Sequence, residues 1–146
     1  MDNITLEATR KQFITVVLCE PGKEAYVTTI SNDLESLQKT VGGYIEAVYP
    51  FDDPVAIICD EEGKLNSMEL NRALRDESGQ IYDILAGPFF LAGLGDEDFA
   101  SLSEELQQKY CNMFKHPEMF FWDGNQIRVI SPWRAINFRR KNRADL

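Results

Sequence analysis

Val55-Ala-Ile-Ile-Cys59 runs without a polar side chain into Asp60-Glu-Glu-Gly-Lys-Leu-Asn-Ser-Met-Glu-Leu-Asn-Arg-Ala-Leu74. A short run of β-branched and apolar residues, ended by turn residues, reads as a strand covered on both faces, so it is expected in the middle of a sheet. Gly63 supplies the turn that follows. Asn66 with Glu69 has the spacing of a capping box, which predicts a short helix through Leu74. Asn71 and Arg72 fall inside that helix, and asparagine is a poor interior helix former, so a side-chain hydrogen bond is expected to hold it there.

Outward from this stretch the chain alternates hairpin signals with two further helical patterns. Tyr44-Ile-Glu-Ala-Val-Tyr49 reads as a strand joined to Val55 by a rigid turn at residues 50–54. Phe13-Ile-Thr-Val-Val-Leu-Cys19 reads as a buried strand, with Glu20-Pro-Gly-Lys23 turning it into Glu24-Ala-Tyr-Val-Thr-Thr-Ile30 as a hairpin. Asn32 with Glu35 predicts a helix whose inner face is Leu34, Leu37 and Val41 and whose left-handed stop is Gly42. Ile81-Tyr-Asp-Ile-Leu-Ala86 and Pro88-Phe-Phe-Leu-Ala92 predict a strand bulged or broken at Gly87-Pro88. Ser101 with Glu104 opens the strongest helical pattern, with Leu102, Leu106, Tyr110, Met113 and Phe114 on one face and Pro117 beyond its end. Asp123-Gly124 is a tight-turn pair before the last strand, Gln126-Ile-Arg-Val-Ile130. The predicted architecture is a single α+β domain over residues 13–133, a mixed, mostly antiparallel sheet with two or three helices packed on it. Residues 1–12 are expected as a loose N-terminal arm and 134–146 as a basic C-terminal tail.

Composition narrows the function classes. With 146 residues, 44% hydrophobic and 27% charged, the chain has the make-up of a globular protein with one core. No segment approaches the roughly 18 apolar residues of a membrane span, and Met1-Asp-Asn-Ile-Thr-Leu-Glu lacks the basic and apolar regions of a signal peptide, so a cytoplasmic protein off the membrane is expected. The net charge is −9, yet residues 134–146 hold five basic side chains, Arg134, Arg139, Arg140, Lys141 and Arg143, against one acid. That leaves ten basic and twenty-three acidic residues in the body, which repels nucleic acid; only the tail suits phosphate or an acidic partner.

The chemistry-bearing residues exclude more than they assign. Cys19, Cys59 and Cys111 are widely spaced and have no CxxC or Cys/His pattern, so they are read as inert core thiols. The one histidine, His116, follows the last predicted helix, where it suits free carbonyls better than a nucleophile. Gly93-Leu-Gly95 is followed by Asp96-Glu-Asp98, whose carboxylates repel phosphate, and the loop lacks the EF-hand spacing. No metal, cofactor or catalytic set is expected. Phe120, Phe121, Trp122 and Trp133 are expected to close a core, with one or two left for a partner-binding patch. The remaining candidates are Asp60, Glu62, Lys64, Asn71 and Arg72, joined by Glu46 on the preceding strand. They are read either as a polar ligand site beside a rigid strand or as turn and cap residues, with Arg72 pairing Glu62 or Glu69 on the surface.

Four stretches carry a family resemblance: Leu37-Gln-Lys-Thr-Val-Gly-Gly-Tyr-Ile-Glu46, Cys59-Asp-Glu-Glu-Gly-Lys-Leu65 with Asn71-Arg72, Ile84-Leu-Ala-Gly-Pro-Phe-Phe90, and Phe99-Ala-Ser-Leu-Ser103. In this order the chain resembles the bacterial and phage family of unknown function DUF3846. The resemblance implies a small accessory product of phages, plasmids or conjugative elements and brings no catalytic residue. The expected function is therefore a non-enzymatic binding protein of such an element, acting on a host or element-encoded protein, for example in counter-defence. The alternative is a binder of a small molecule or nucleotide signal through Glu46, Glu62, Lys64, Asn71 and Arg72.

Overall fold

The computed structural model describes residues 12–130. The expected basic tail and Trp133, and all but the last residue of the expected N-terminal arm, lie outside the described residues. The main sheet is built on β1 (Phe13–Cys19), β2 (Tyr26–Ser31), β3 (Ile45–Val48), β4 (Val55–Asp60) and β7 (Phe89–Leu94), in the order β2-β1-β7-β4-β3, with the two-residue β8 (Phe99–Ala100) beside β7. Two further pairs stand apart: β5 (Leu70–Arg75) with β6 (Ile81–Ala86), and β9 (Met119–Trp122) with β10 (Ile127–Ile130). The domain is α+β and sheet-dominated, as expected. Its strand pairings are all antiparallel among the described residues, so the sheet is not mixed.

Alternation along the inner strands builds two cores at once. Every residue of β4 is buried. Val55, Ile57 and Cys59 join Val17, Phe89 and Leu91 on one face, while Ala56 and Ile58 join Val16, Phe90 and Ala92 on the other. A strand covered on both faces has no solvent side for polar residues, which is why its sequence is continuously apolar. Helix α1 (Leu34–Val41) closes the second face with Leu37 and Val41. Helix α2 (Glu104–Met113), with the residues just before and after it, and the β5–β6 pair close the first, through Leu102, Tyr110, Phe114, Leu74 and Leu85.

Two of the three predicted helices form, each with its cap displaced toward the C-terminus. Asp33, not Asn32, caps α1, accepting from the Ser36 amide at 2.8 Å, while Asn32 Nδ2 donates to the Phe99 carbonyl across the fold. Ser103, not Ser101, caps α2; Ser101 Oγ instead accepts from the Thr15 amide. In each case the residue with capping-box spacing is held by a long-range bond, and the next competent side chain takes the cap. Gly42 ends α1 at φ 88°, as predicted. Leu34 and Met113, placed on inner faces by spacing, point outward.

The predicted helix through Leu74 does not form. Residues 61–67 make successive turns, Ser67 adopts φ 58°, and the chain then extends as β5 against β6. A few residues of ordinary helix propensity gain little from a helix, and pairing with β6 buries residues 71–74 instead. The break at Gly87 is equally consequential: at φ 78° it sends β6 and β7 into different sheets. The late aromatics depart from expectation too, since Phe121 and Trp122 are exposed on the β9–β10 pair and only Phe120 is half-buried.

Candidate functional site

Asn71 and Arg72 are the polar centre of the fold. Extended backbone drives both into the interior, where Asn71 is fully buried and Arg72 is 1% exposed. Asn71 Nδ2 donates to the carbonyls of Cys19 at 3.0 Å and Gly87 at 2.9 Å, and its Oδ1 accepts from Arg72 Nη1 at 2.7 Å. Arg72 Nη1 also donates to the Asn71 carbonyl, Nε to the Phe114 carbonyl at 3.0 Å, and Nη2 to the Lys23 carbonyl at 2.6 Å. One guanidinium thus ties β5 to the β1–β2 turn and to the end of α2. Burial pulls its pKa below the ordinary arginine value, partly offset by nearby Cys19 and Glu118. The expected surface pairing of Arg72 with Glu62 or Glu69 is corrected: its hydrogen-bond partners are backbone carbonyls and Asn71.

The other candidates sit elsewhere. Glu46 faces solvent on β3, opposite Cys59. Asp60 is buried at the end of β4, where Oδ1 accepts from the Glu62 amide at 2.8 Å. Its Oδ2 has no hydrogen-bond partner among the described residues and lies so close to Gly43 that a Cβ there would collide with it. Glu62 is exposed, and Lys64 pairs with Asp83 on β6 at 2.6 Å rather than within its own turn. Among the described residues no hydrogen bond links the turn residues to Asn71 or Arg72, so the six do not share one hydrogen-bonded cluster. The cysteines are free, Cys19 and Cys59 buried and Cys111 half-buried. Burial pushes the Cys19 thiol up to about 12 and the Cys59 thiol up to about 11, as suits inert core thiols.

A concavity lies on the far side of β5. A cleft of about 840 Å³ opens between the outer edge of β5, the second half of α2 and the β3–β4 turn. Of the predicted residues only Arg72 reaches it; His116 joins its wall, with Nδ1 3.9 Å from Glu24 Oε1. Its floor is aromatic, with the Phe51 and Tyr110 rings 4.7 Å apart and Phe114 edge-on to Phe51 at 6.3 Å. Asp53 organises one wall, its Oδ2 accepting from Lys109 Nζ at 2.6 Å and from the Tyr110 hydroxyl at 2.7 Å. Those two bonds, Lys109 first, hold the Asp53 carboxyl below its ordinary value; burial and the Asp53 carboxylate push the Tyr110 phenol above its own. On the opposite wall Glu118, with its side chain 8% exposed, bonds Arg75 Nη2 at 2.6 Å and accepts from the Ala73 amide at 3.0 Å. Five carboxylates line the cleft against three permanent cations.

Such a cleft falls within the size range of small-ligand sites and combines an apolar floor with fixed polar groups. Sequence reasoning missed it because Asp53 and Tyr110 are 57 positions apart and meet only through the packing of α2. The one local signal was Phe51, an apolar residue inside a turn of acids and prolines. Among the described residues no group of His, Cys, Asp and Glu is placed to hold a metal ion, and no helix is long and apolar enough to cross a membrane.

No curated protein and no solved structure matches the chain. A family model described as Domain of unknown function (DUF3846) matches residues 14–115, from the start of β1 to just past the end of α2, which spans the main sheet, both helices and most of the cleft's lining. The chain belongs to the DUF3846 family.

Proposed function

We propose that the protein is a non-enzymatic binding module of a phage or other mobile genetic element, acting in the cytoplasm on a host protein through the cleft beside β5. The observation that carries this reading is the cleft itself: an aromatic-floored groove with one ion pair fixed on each wall, Asp53 with Lys109 and Glu118 with Arg75. Paired, immobilised groups of this kind orient a partner, and the Arg72 clamp holds the wall rigid. The accessory role rests on the resemblance to a family carried by mobile elements.

Met113 tests the reading, because it lines the cleft and is 51% exposed, so its replacement spares the core. Tagged wild-type chain is expected to capture a defined host protein, and Met113→Arg to lose it at unchanged melting temperature. Capture that survives Met113→Arg moves the partner surface elsewhere. A second reading, a small molecule such as a nucleotide signal, is favoured by the cleft's volume of about 840 Å³. Titration with nucleotides, followed by amide resonances of residues 72–77 and 109–116, separates the two.

A further inference from the structure

The outer edge of β5 has an arrangement that the cleft alone does not explain. Among the described strands β5 pairs only with β6. The Ala73 amide is given to the Glu118 carboxylate, while the Asp76 amide is given to the Gln80 carbonyl across the turn. Peptide groups alternate sides along an antiparallel strand, so those of Ala73 and Arg75 face away from β6, toward the cleft. Glu118 stands where the carbonyl of a neighbouring strand would stand, on the first of these two positions. An unpaired edge is a template for another extended chain, and a side-chain carboxylate covering one position is a way of blunting it. The lining of the cleft is acidic as well, with Asp52 and Glu77 both exposed.

We propose that the cleft recognises a basic, extended peptide segment of the partner protein, which adds as a strand to the outer edge of β5 at Arg75. Main-chain bonds to Arg75 supply affinity, and alternate side chains supply specificity. Apolar residues enter over Phe51 and Tyr110, and lysines or arginines on the other face meet Asp52 and Glu77. Glu118 keeps its bond to Ala73 and its pair with Arg75, so the incoming strand begins beyond it. This deepens the cleft-binding reading and rests on it.

The test uses the full chain, isotope-labelled, titrated with the peptide acetyl-Lys-Val-Lys-Val-Lys-Val-amide. Saturable shifts are expected at the amides of residues 73–77 and around Tyr110. The acidic counterpart acetyl-Glu-Val-Glu-Val-Glu-Val-amide is expected to produce none. N-methylation of alternate peptide amides on the pairing side is expected to abolish binding, and Glu77→Lys to weaken it about tenfold. The proposal is overturned if the basic peptide moves no resonance of β5, or if its N-methylated form binds equally well. If the peptide fails while host-protein capture is still lost in Met113→Arg, strand addition is wrong and the cleft reading stands. If capture also survives Met113→Arg, both fall.

Discussion

Arg72 shows how far a single side chain is defined by what the backbone does around it. In a surface helix it would be one of several cations with a nearby carboxylate, worth at most about 1 kcal/mol. In β5 it is 1% exposed and donates to three backbone carbonyls and one amide oxygen. Arg72→Ala strands those acceptors in the core and is expected to cost about 3 kcal/mol or more, read from urea unfolding. Arg72→Lys should fall close to it, because an ammonium cannot span the same fork. A near-neutral Arg72→Ala would mean that the guanidinium does not clamp these elements together. Cys19 offers a pH test of the same interior. Its folded pKa is raised from 9.0 to about 12, so in the native state the thiol keeps a proton that the unfolded chain releases. The stability it contributes is therefore complete below pH 9 and is lost as pH rises from there toward 12. Between pH 7 and pH 10 the wild type should lose more stability than Cys19→Ala, and parallel losses would contradict a buried, neutral thiol.

At the scale of elements, the helices were legible and their ends were not. The 3.6-residue periodicity identified α1 and α2, because an amphipathic face is a property of the local sequence. The caps moved because Asn32 and Ser101 are bonded to residues 67 and 86 positions away, which local spacing cannot encode. Ser103→Ala is expected to cost about 1 kcal/mol through loss of the cap on α2. The inner face of that helix can be graded as well. Leu102 lies in the core just before α2, whereas Leu106 is only partly buried against it. Leu102→Asp should cost about 3–4 kcal/mol and Leu106→Asp clearly less, measured by chemical denaturation. Equal costs would mean that the helix is rotated from the position described. The segment read as a third helix was lost for a different reason. Its capping-box spacing was real, but a helix of two turns is marginal alone, and β6 offered a partner.

Across the whole molecule, the β9–β10 hairpin is the clearest departure from a closed core. Trp122 is 65% exposed, and Phe121, Ile127 and Ile130 are each close to half exposed. An aromatic run in sequence is read as core because burial is where such residues gain most, but among the described residues the two-stranded β9–β10 pair has no layer to bury them against. Replacing Phe121 and Trp122 together by Ser is expected to change stability by no more than about 0.5–1 kcal/mol, far below a core substitution of similar volume. A loss of several kcal/mol would show that this hairpin is covered in solution.

The division between sequence and tertiary structure follows the range of the interactions involved. Continuous or alternating hydrophobicity, turn residues and a helical period are local, and they established the α+β class, most strands, both helices, the buried thiols and the family. The polar constellation was not local. Glu46, Asp60, Glu62 and Lys64 were grouped with Asn71 and Arg72 by nearness in sequence, and the chain spreads them over β3, the end of β4, a turn and the interior. The cleft that replaces that grouping joins the β3–β4 turn, β5 and α2, whose meeting depends on which face of the sheet each one covers. Burial of the apolar face of α2 brought Tyr110 to Asp53, and the pairing of β5 with β6 turned Arg72 inward; neither is written in the spacing of the residues concerned.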